Sequence, residues 1–237
     1  MQIRVLELLE GAKKASGLTV VIDVFRAFSC ASYALARGAA GVVPTGSVER
    51  AMSLRESLPG SLLIGERGGR IVPGFDCGNS PSQLAALDVA GRAVVQTTSG
   101  GTQALMAASG GAEELLLGSF TTADAIIRYI LARRPETVSL VATGKRAEIH
   151  AEEDFLCAKY IEAALLGRPM DHGVVRQKLR EAPSAARFFE PENADWAPEE
   201  DFRLCSDVGR FDFIMRGEAT AVQDGSERLF KAVPVQG

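Results

Sequence analysis

The chain has 237 residues, with 46% apolar and 24% charged side chains and a formal net charge of −4. That is enough for a sizeable core in one large domain or two small ones, and a mildly acidic chain without a Lys/Arg-rich run excludes a general nucleic-acid binder. No apolar run approaches a membrane-helix length, no signal-peptide pattern opens the chain, and Cys30, Cys77, Cys157 and Cys205 are spaced for reduced thiols rather than for a disulfide framework or a zinc site.

Taken in chain order, short apolar runs alternate with helical patterns. Leu18 to Val24 reads as a strand and Ser29 to Arg37 as a helix. Gly41 to Val43 is a short strand, and Val48 to Leu58 is a helix with Ser47 as its N-cap. Leu62 to Ile64 is a strand, followed by the glycine-rich GERGGRIVPGFDCGNSP of residues 65–81. Its Asn79-Ser80-Pro81 reads as a helix start. Strands follow at Ala93 to Gln96, Leu115 to Leu117 and Val138 to Ala142, and helices at Thr102 to Ala108, Thr122 to Arg133 and Glu152 to Leu166. Beyond Gly167 the pattern weakens. Asp171 to Arg180, Ser184 to Phe189 and Pro198 to Cys205 read as short helices, and Phe211 to Met215 and Leu229 to Val235 as strands. The alternation predicts an α/β fold, a three-layer α/β/α with a mostly parallel or mixed sheet. Residues 1–167 form the core. Residues 168–237 form a helical or mixed region, a smaller C-terminal lobe packed on the core rather than an independent domain.

Ligands of open α/β sheets gather at the carboxyl ends of the strands. Four loops there carry acids, arginines, hydroxyls and glycines: Asp23 to Ser29, Glu66-Arg67, Thr97 to Thr102 and Thr143 to Arg146. Each has a plain structural reading. Asp23 can cap the helix after it, Arg26 can pair with Asp23, Glu66 and Arg67 can form a surface ion pair, and Asp76 can make an Asx-turn. The acids Glu152, Glu153 and Asp154 suit a first helical turn. Together, four such loops at one edge are expected to share a pocket for an anion and a hard metal. No P-loop, G-x-G-x-x-G or G-x-S-x-G motif is present. The C-x5-R spacing of a cysteine phosphatase is absent, as is a second Asp two residues after Asp23.

The segments VVIDVFRAFS, GERGGRIVPGFDCGNSP, TTSGGTQAL and EEDFLCAKYI, with the later DFRLC, resemble the motif series of the 2-phosphosulfolactate phosphatase family. The resemblance spans Leu18 to Ile161 and the Asp201 patch. It implies a three-layer Mg²⁺-dependent acid phosphatase that releases phosphate from (R)-2-phospho-3-sulfolactate, a step of coenzyme M biosynthesis in methanogens. Carried over by position, it implies a site of Asp23, Arg26, Glu66, Arg67, Asp76, Asn79, Ser80, Thr97, Thr98 and Asp154. We take Asp23, Arg26, Glu66 and Arg67 as catalytic, Asn79, Ser80, Thr97, Thr98, Gly100, Gly101 and Thr102 as substrate-binding, and Asp23, Glu66, Asp76 and Asp154 as the pool of metal ligands.

The chain departs from the family pattern at Gly100, Gln103, Ala151, Lys159 and the Lys145-Arg146 pair, which bears on substrate choice. Gly100 stands where the family has Asn. It is read as a position able to take φ > 0, so Asn is expected to be tolerated there and Val to be harmful. The expected protein is a cytoplasmic homo-oligomer acting on a small anionic phosphate ester, with no nucleic-acid or membrane partner. The alternatives are a phosphatase for another phosphorylated hydroxy acid and a non-catalytic anion binder.

Overall fold

The structure, a computed structural model, describes residues 1–219 and 228–235. Its strands are β1 (Gln2–Glu7), β2 (Gly17–Ile22), β3 (Gly41–Thr45), β4 (Leu62–Arg67), β5 (Arg70–Ile71), β6 (Ala93–Thr97), β7 (Ala112–Gly118), β8 (Thr137–Ala142), β9 (Phe213–Ala219) and β10 (Arg228–Pro234). The helices are α1 (Leu8–Ala12), α2 (Ala27–Ala36), α3 (Val48–Ser57), α4 (Pro81–Leu84), α5 (Gly101–Ser109), α6 (Ala123–Arg133), α7 (Glu152–Leu165), α8 (His172–Glu181) and α9 (Glu199–Cys205), with a 3₁₀ segment at Pro183–Phe188. β2 and β3 are buried along their whole length, as unalternating Val/Ile/Leu runs require when helices cover both faces of a sheet.

Local chemistry sets the helix starts. The Oγ of Ser47 accepts the Arg50 N–H at 3.0 Å and opens α3. Ser80 accepts from Gln83 at 3.3 Å and Pro81 follows in the first turn of α4, as the Asn79-Ser80-Pro81 pattern predicts. Asp171 caps α8 by accepting from Gly173 and Val174.

The sheet order is β1-β8-β2-β7-β9-β10-β3-β6-β4-β5. β1, β8, β2 and β7 are mutually parallel neighbours, as are β3, β6 and β4. Between these blocks the β7–β9, β9–β10 and β10–β3 pairings are all antiparallel. Three reversals leave the two blocks running in opposite ladder senses. Sheet twist rotates one block against the other, and the loop after β6 of the second block meets the loop after β8 of the first at Gly100.

One apolar layer, with Phe28, Cys30, Ala104 and Leu105 from α2 and α5, touches Val21, Leu117 and Val141 of the first block and Val42, Ile64 and Val94 of the second. The opposite face of the first block packs Val20, Ile22 and Leu140 on α6, α7, α8 and the Phe188 and Phe202 region. α3 covers Val43, Leu63 and Val95 of the second block with Ala51 and Leu54. Truncating Leu54, fully buried there, costs about 2–5 kcal/mol.

Two features depart from the sequence reading. β1 and α1 at the N-terminus were not anticipated, because β1 is an edge strand only half buried. The C-terminal strands do not sit apart from the core: β9 and β10 are the middle of the sheet. Among the described residues, no helix is long and apolar enough to cross a membrane, and all four cysteines are free and buried.

Candidate active site

The site begins with the turn after β2. Asp23 is mostly buried, and its Oδ1 accepts the N–H of Ala27, the first residue of α2, at 3.1 Å. The capping role foreseen for Asp23 is therefore real, and it occupies only one oxygen. The second oxygen, Oδ2, faces the start of α5. A Cβ placed on Gly101 would stand 2.6 Å from it, so only glycine lets the helix end come this near. The first N–H groups of a helix have no partner within it, and those of Gly101 and Thr102 open α5 beside Asp23. Thr102 is held by its hydroxyl on the Thr98 carbonyl at 3.2 Å, and Thr98 Oγ1 receives the Gly100 N–H at 3.3 Å.

Gly100 has φ −132° and ψ −56°, so the left-handed conformation expected for it is not used. Its glycine is required for another reason. A Cβ there would lie 2.8 Å from the Gly144 carbonyl oxygen and 3.1 Å from the backbone nitrogens of Arg146 and Ala147. The loop after β8 presses directly on the loop after β6.

The glycine-rich loop is tied to the same place by Glu66. Its Oε2 accepts the Gly69 N–H at 2.7 Å and its Oε1 the Ser99 N–H at 2.8 Å. This carboxylate organises two loops at once and makes no ion pair with Arg67. Arg67 is exposed, donating to the Glu66 carbonyl at 2.7 Å and to Thr97 Oγ1 at 3.1 Å. Asn79 is buried and donates to the Thr97 carbonyl at 3.0 Å while its Oδ1 accepts from Gln96 at 2.9 Å. Ser80 is consumed as a helix cap. These two side chains brace the loop. The structure does not bring Asp76 to Asp23: its carboxylate accepts the Leu63 N–H at 2.8 Å and pairs with Arg55 of α3.

Arg26 is buried and pairs with the fully buried Asp201 at 2.5 Å, with a second bond to the Gly69 carbonyl at 3.1 Å. Asp201 also accepts the Ser82 N–H at 2.9 Å. Asp154 accepts from Val24 at 2.8 Å with one oxygen, and from Gly144 at 2.9 Å and Thr143 Oγ1 at 3.2 Å with the other, clamping the turns after β2 and β8. Two neighbours escaped the sequence reading. Glu153, taken there as one of the acids of a first helical turn, is buried with Ser184 Oγ on its Oε2 at 2.5 Å. Arg187 donates to the Phe25 carbonyl at 3.0 Å. No spacing rule links residue 187 to residue 25, since only the fold brings them together.

A model of the 2-phosphosulpholactate phosphatase family matches residues 4–219. The chain belongs to the 2-phosphosulfolactate phosphatase family. It is 32% identical over 216 residues to a probable 2-phosphosulfolactate phosphatase of Thermotoga petrophila, an alignment covering 91% of this chain and 87% of that protein. A probable 2-phosphosulfolactate phosphatase of Deinococcus radiodurans is 38% identical over 148 residues, covering 62% of each chain, and one of Bacillus subtilis is 26% identical over 202 residues, 84% of this chain and 86% of that one.

In this family member, the charge balance around Asp23 is unusual. Burial, with Glu66 and Glu153 nearby, raises the Asp23 carboxyl to about 7, against the opposing pull of Ala27 N–H and Arg187. Burial likewise pushes Asp154 well above the ordinary carboxylate range, with Glu153 and Asp23 adding to it. Among the described residues no three acidic, histidine or cysteine side chains form a ready-made metal cage. Mg²⁺ does not need one, since it keeps water and takes one or two carboxylates together with substrate phosphate oxygens. Asp23 fits that role through its Oδ2, which receives no donor among the described residues, with Glu153, engaged only at Oε2 by Ser184, as the second carboxylate, while Glu66 has both oxygens on backbone N–H groups. Asp154 has both oxygens committed to donors of the turns after β2 and β8, and Asp76 is held through its Oδ2 by Leu63 N–H and Arg55 of α3.

Proposed function

We propose that this chain is a phosphoric monoester hydrolase that converts (R)-2-phospho-3-sulfolactate and water into 3-sulfolactate and phosphate, with Mg²⁺ as cofactor, in a reducing cytoplasm. The observation that carries this reading is the buried Asp23 carboxylate set against the open N-terminus of α5 across Gly101. A helix N-terminus offers free N–H groups and a positive dipole end to a phosphoryl group. On this reading Gly101 and Thr102 N–H donate to the phosphoryl oxygens, and Arg67, an accessible arginine at the end of β4, closes over them. Asp23 and its neighbouring carboxylates hold Mg²⁺, which when bound neutralises charge at the phosphoryl oxygens. Asp23, poised near neutrality, can instead take the proton of the attacking water. The water oxygen bonds to phosphorus, the bond from phosphorus to the C2 oxygen breaks, and that oxygen leaves as the hydroxyl of sulfolactate after gaining a proton. Asn79, Ser80 and Glu66 act by holding the loops in place.

The test is phosphate release from phosphosulfolactate, phospholactate and phosphoglycolate, with and without EDTA. Turnover of phosphosulfolactate that is abolished by EDTA and restored by Mg²⁺ is expected. Undiminished turnover in EDTA overturns the metal assignment. Stoichiometric binding without release overturns the enzymatic reading.

A further inference from the structure

Arg26, Arg67 and Arg187 differ in what remains of their hydrogen-bonding capacity. Arg26 has a fully buried carboxylate of its own in Asp201, with a second bond to the Gly69 carbonyl. Arg67 is exposed and held by Thr97 and its own neighbour's carbonyl. Arg187 is different. Its Nη2 donates to the Phe25 carbonyl at 3.0 Å, and its guanidinium lies over the Phe188 ring at 5.0 Å. Its Nε is buried and donates to no atom of the described protein. Glu153 and Asp23 are near enough to act on its charge, yet no ion pair with either forms. An N–H withdrawn from water without an acceptor is costly. Nε and one Nη form the edge of arginine that grips an oxyanion with two parallel bonds.

We propose that Arg187 is a specificity-determining residue that receives an acid group of the substrate other than the transferred phosphate. This deepens the phosphatase reading and rests on it. The phosphoryl group is assigned to the start of α5 on one side of Asp23. Arg187 reaches the turn after β2 at Phe25, from the Pro183–Phe188 segment. A 2-phospho-3-sulfonate acid carries a carboxylate and a sulfonate on the carbons flanking the phosphorylated one. Either is an oxyanion that the Nε edge can bind. The carboxylate has the planar shape that matches it. The site is therefore completed from beyond residue 167, by a segment that also supplies Ser184 to Glu153.

The experiment compares wild type, Arg187→Gln and Arg187→Lys. It measures kcat/KM on phosphosulfolactate, on phospholactate and on p-nitrophenyl phosphate, and the Kd of 3-sulfolactate by calorimetry. Arg187→Gln is expected to lower the preference for phosphosulfolactate over p-nitrophenyl phosphate by at least ~10-fold, mainly through KM, and to weaken 3-sulfolactate binding by a similar factor. Arg187→Lys, which restores charge but not the fork, is expected to recover only part of the loss. If phospholactate loses as much as phosphosulfolactate, the carboxylate is the partner, and if it loses less, the sulfonate is. An equal loss on all three esters, or unchanged 3-sulfolactate binding in a folded Arg187→Gln protein, overturns the proposal. If wild type hydrolyses none of the esters, the phosphatase reading fails by itself. The Arg187 assignment then stands or falls on the 3-sulfolactate Kd.

Discussion

The turn after β2 and the end of β4 look alike in sequence, each an acid and an arginine at the close of an apolar run. In the fold they are opposites. Around Asp23 and Arg26 both side chains are buried, and the arginine is locked on Asp201, a residue far along the chain. Around Glu66 and Arg67 the acid is bonded to backbone N–H groups and the arginine stands at the surface. Residue type alone does not separate an arginine locked inside the fold from one left at the surface. What separates them is whether the guanidinium has a carboxylate of its own.

The sharpest way to break that contrast is Asp201→Ala. Leaving Arg26 buried without its partner should cost about 3–5 kcal/mol, read as a large drop in the urea midpoint. Asp201→Asn should lose less, because it can still accept the Ser82 N–H. A midpoint within error of wild type for Asp201→Ala would mean that Arg26 is not held by this pair.

Asp23→Asn comes next. Phosphate release should fall about 10²-fold or more if Asp23 takes a proton or holds the metal. Stability should move the other way. The carboxyl titrates near 7 in the folded state, against 3.8 as its ordinary value, so between about pH 4 and pH 7 the folded protein binds the extra proton and wild type loses stability as pH rises. The full cost, at most roughly 4 kcal/mol, is present above pH 7. In EDTA, Asp23→Asn should therefore melt above wild type at pH 8 and level with it at pH 4. Equal melting temperatures at pH 8 would show that the buried charge costs nothing there.

Gly100→Asn separates loop packing from loop conformation. Because the Cβ would meet the Gly144 carbonyl, we expect a loss of about 1–3 kcal/mol, against the tolerance that a left-handed glycine would have allowed. An unchanged melting temperature would show that the loop after β8 yields freely. The smallest effect is expected for Arg67→Lys: about 10-fold in kcat/KM, or ~1.4 kcal/mol, with little change in melting temperature because exposed charged contacts contribute little. Early melting with full activity would place Arg67 among the bracing residues.

That Asp23, Glu66 and the Thr97–Thr102 run would meet was legible in the sequence, because strand ends and glycine-rich turns leave local signals. Asp23, Glu66 and the Thr97–Thr102 run were found from the residues that follow apolar runs, and Ser47 and Ser80 from capping chemistry. What was not legible depends on long-range pairing. Asp76 stands among glycines like a site residue, yet Arg55, from the preceding helix, claims it. Asp201 pairs with Arg26 across |i−j| = 175, and Arg187 meets Phe25 across |i−j| = 162, with no periodicity to announce either contact. Gly100 signalled glycine correctly and its cause wrongly, since a close approach of two backbones leaves the same letter as a positive φ. The central position of β9 and β10 had no local signal either, because a short apolar run says nothing about its neighbours.

That central position has a consequence for how the protein is born. Among the described residues, the two parallel blocks are joined edge to edge through β9 and β10. Until Phe213–Pro234 has left the ribosome, β7 and β3 present open edges, and long-range pairing of this kind is slow to form. The pieces of the site come from the first block, the second block and the Pro183–Cys205 stretch. A nascent chain that already holds Asp23 and Glu66 thus has its sheet still divided, and the late arrival of the hairpin ties maturation of the site to the closing of the sheet. Open edges are also where partly made chains pair with one another, so chaperone demand should peak just before that hairpin emerges.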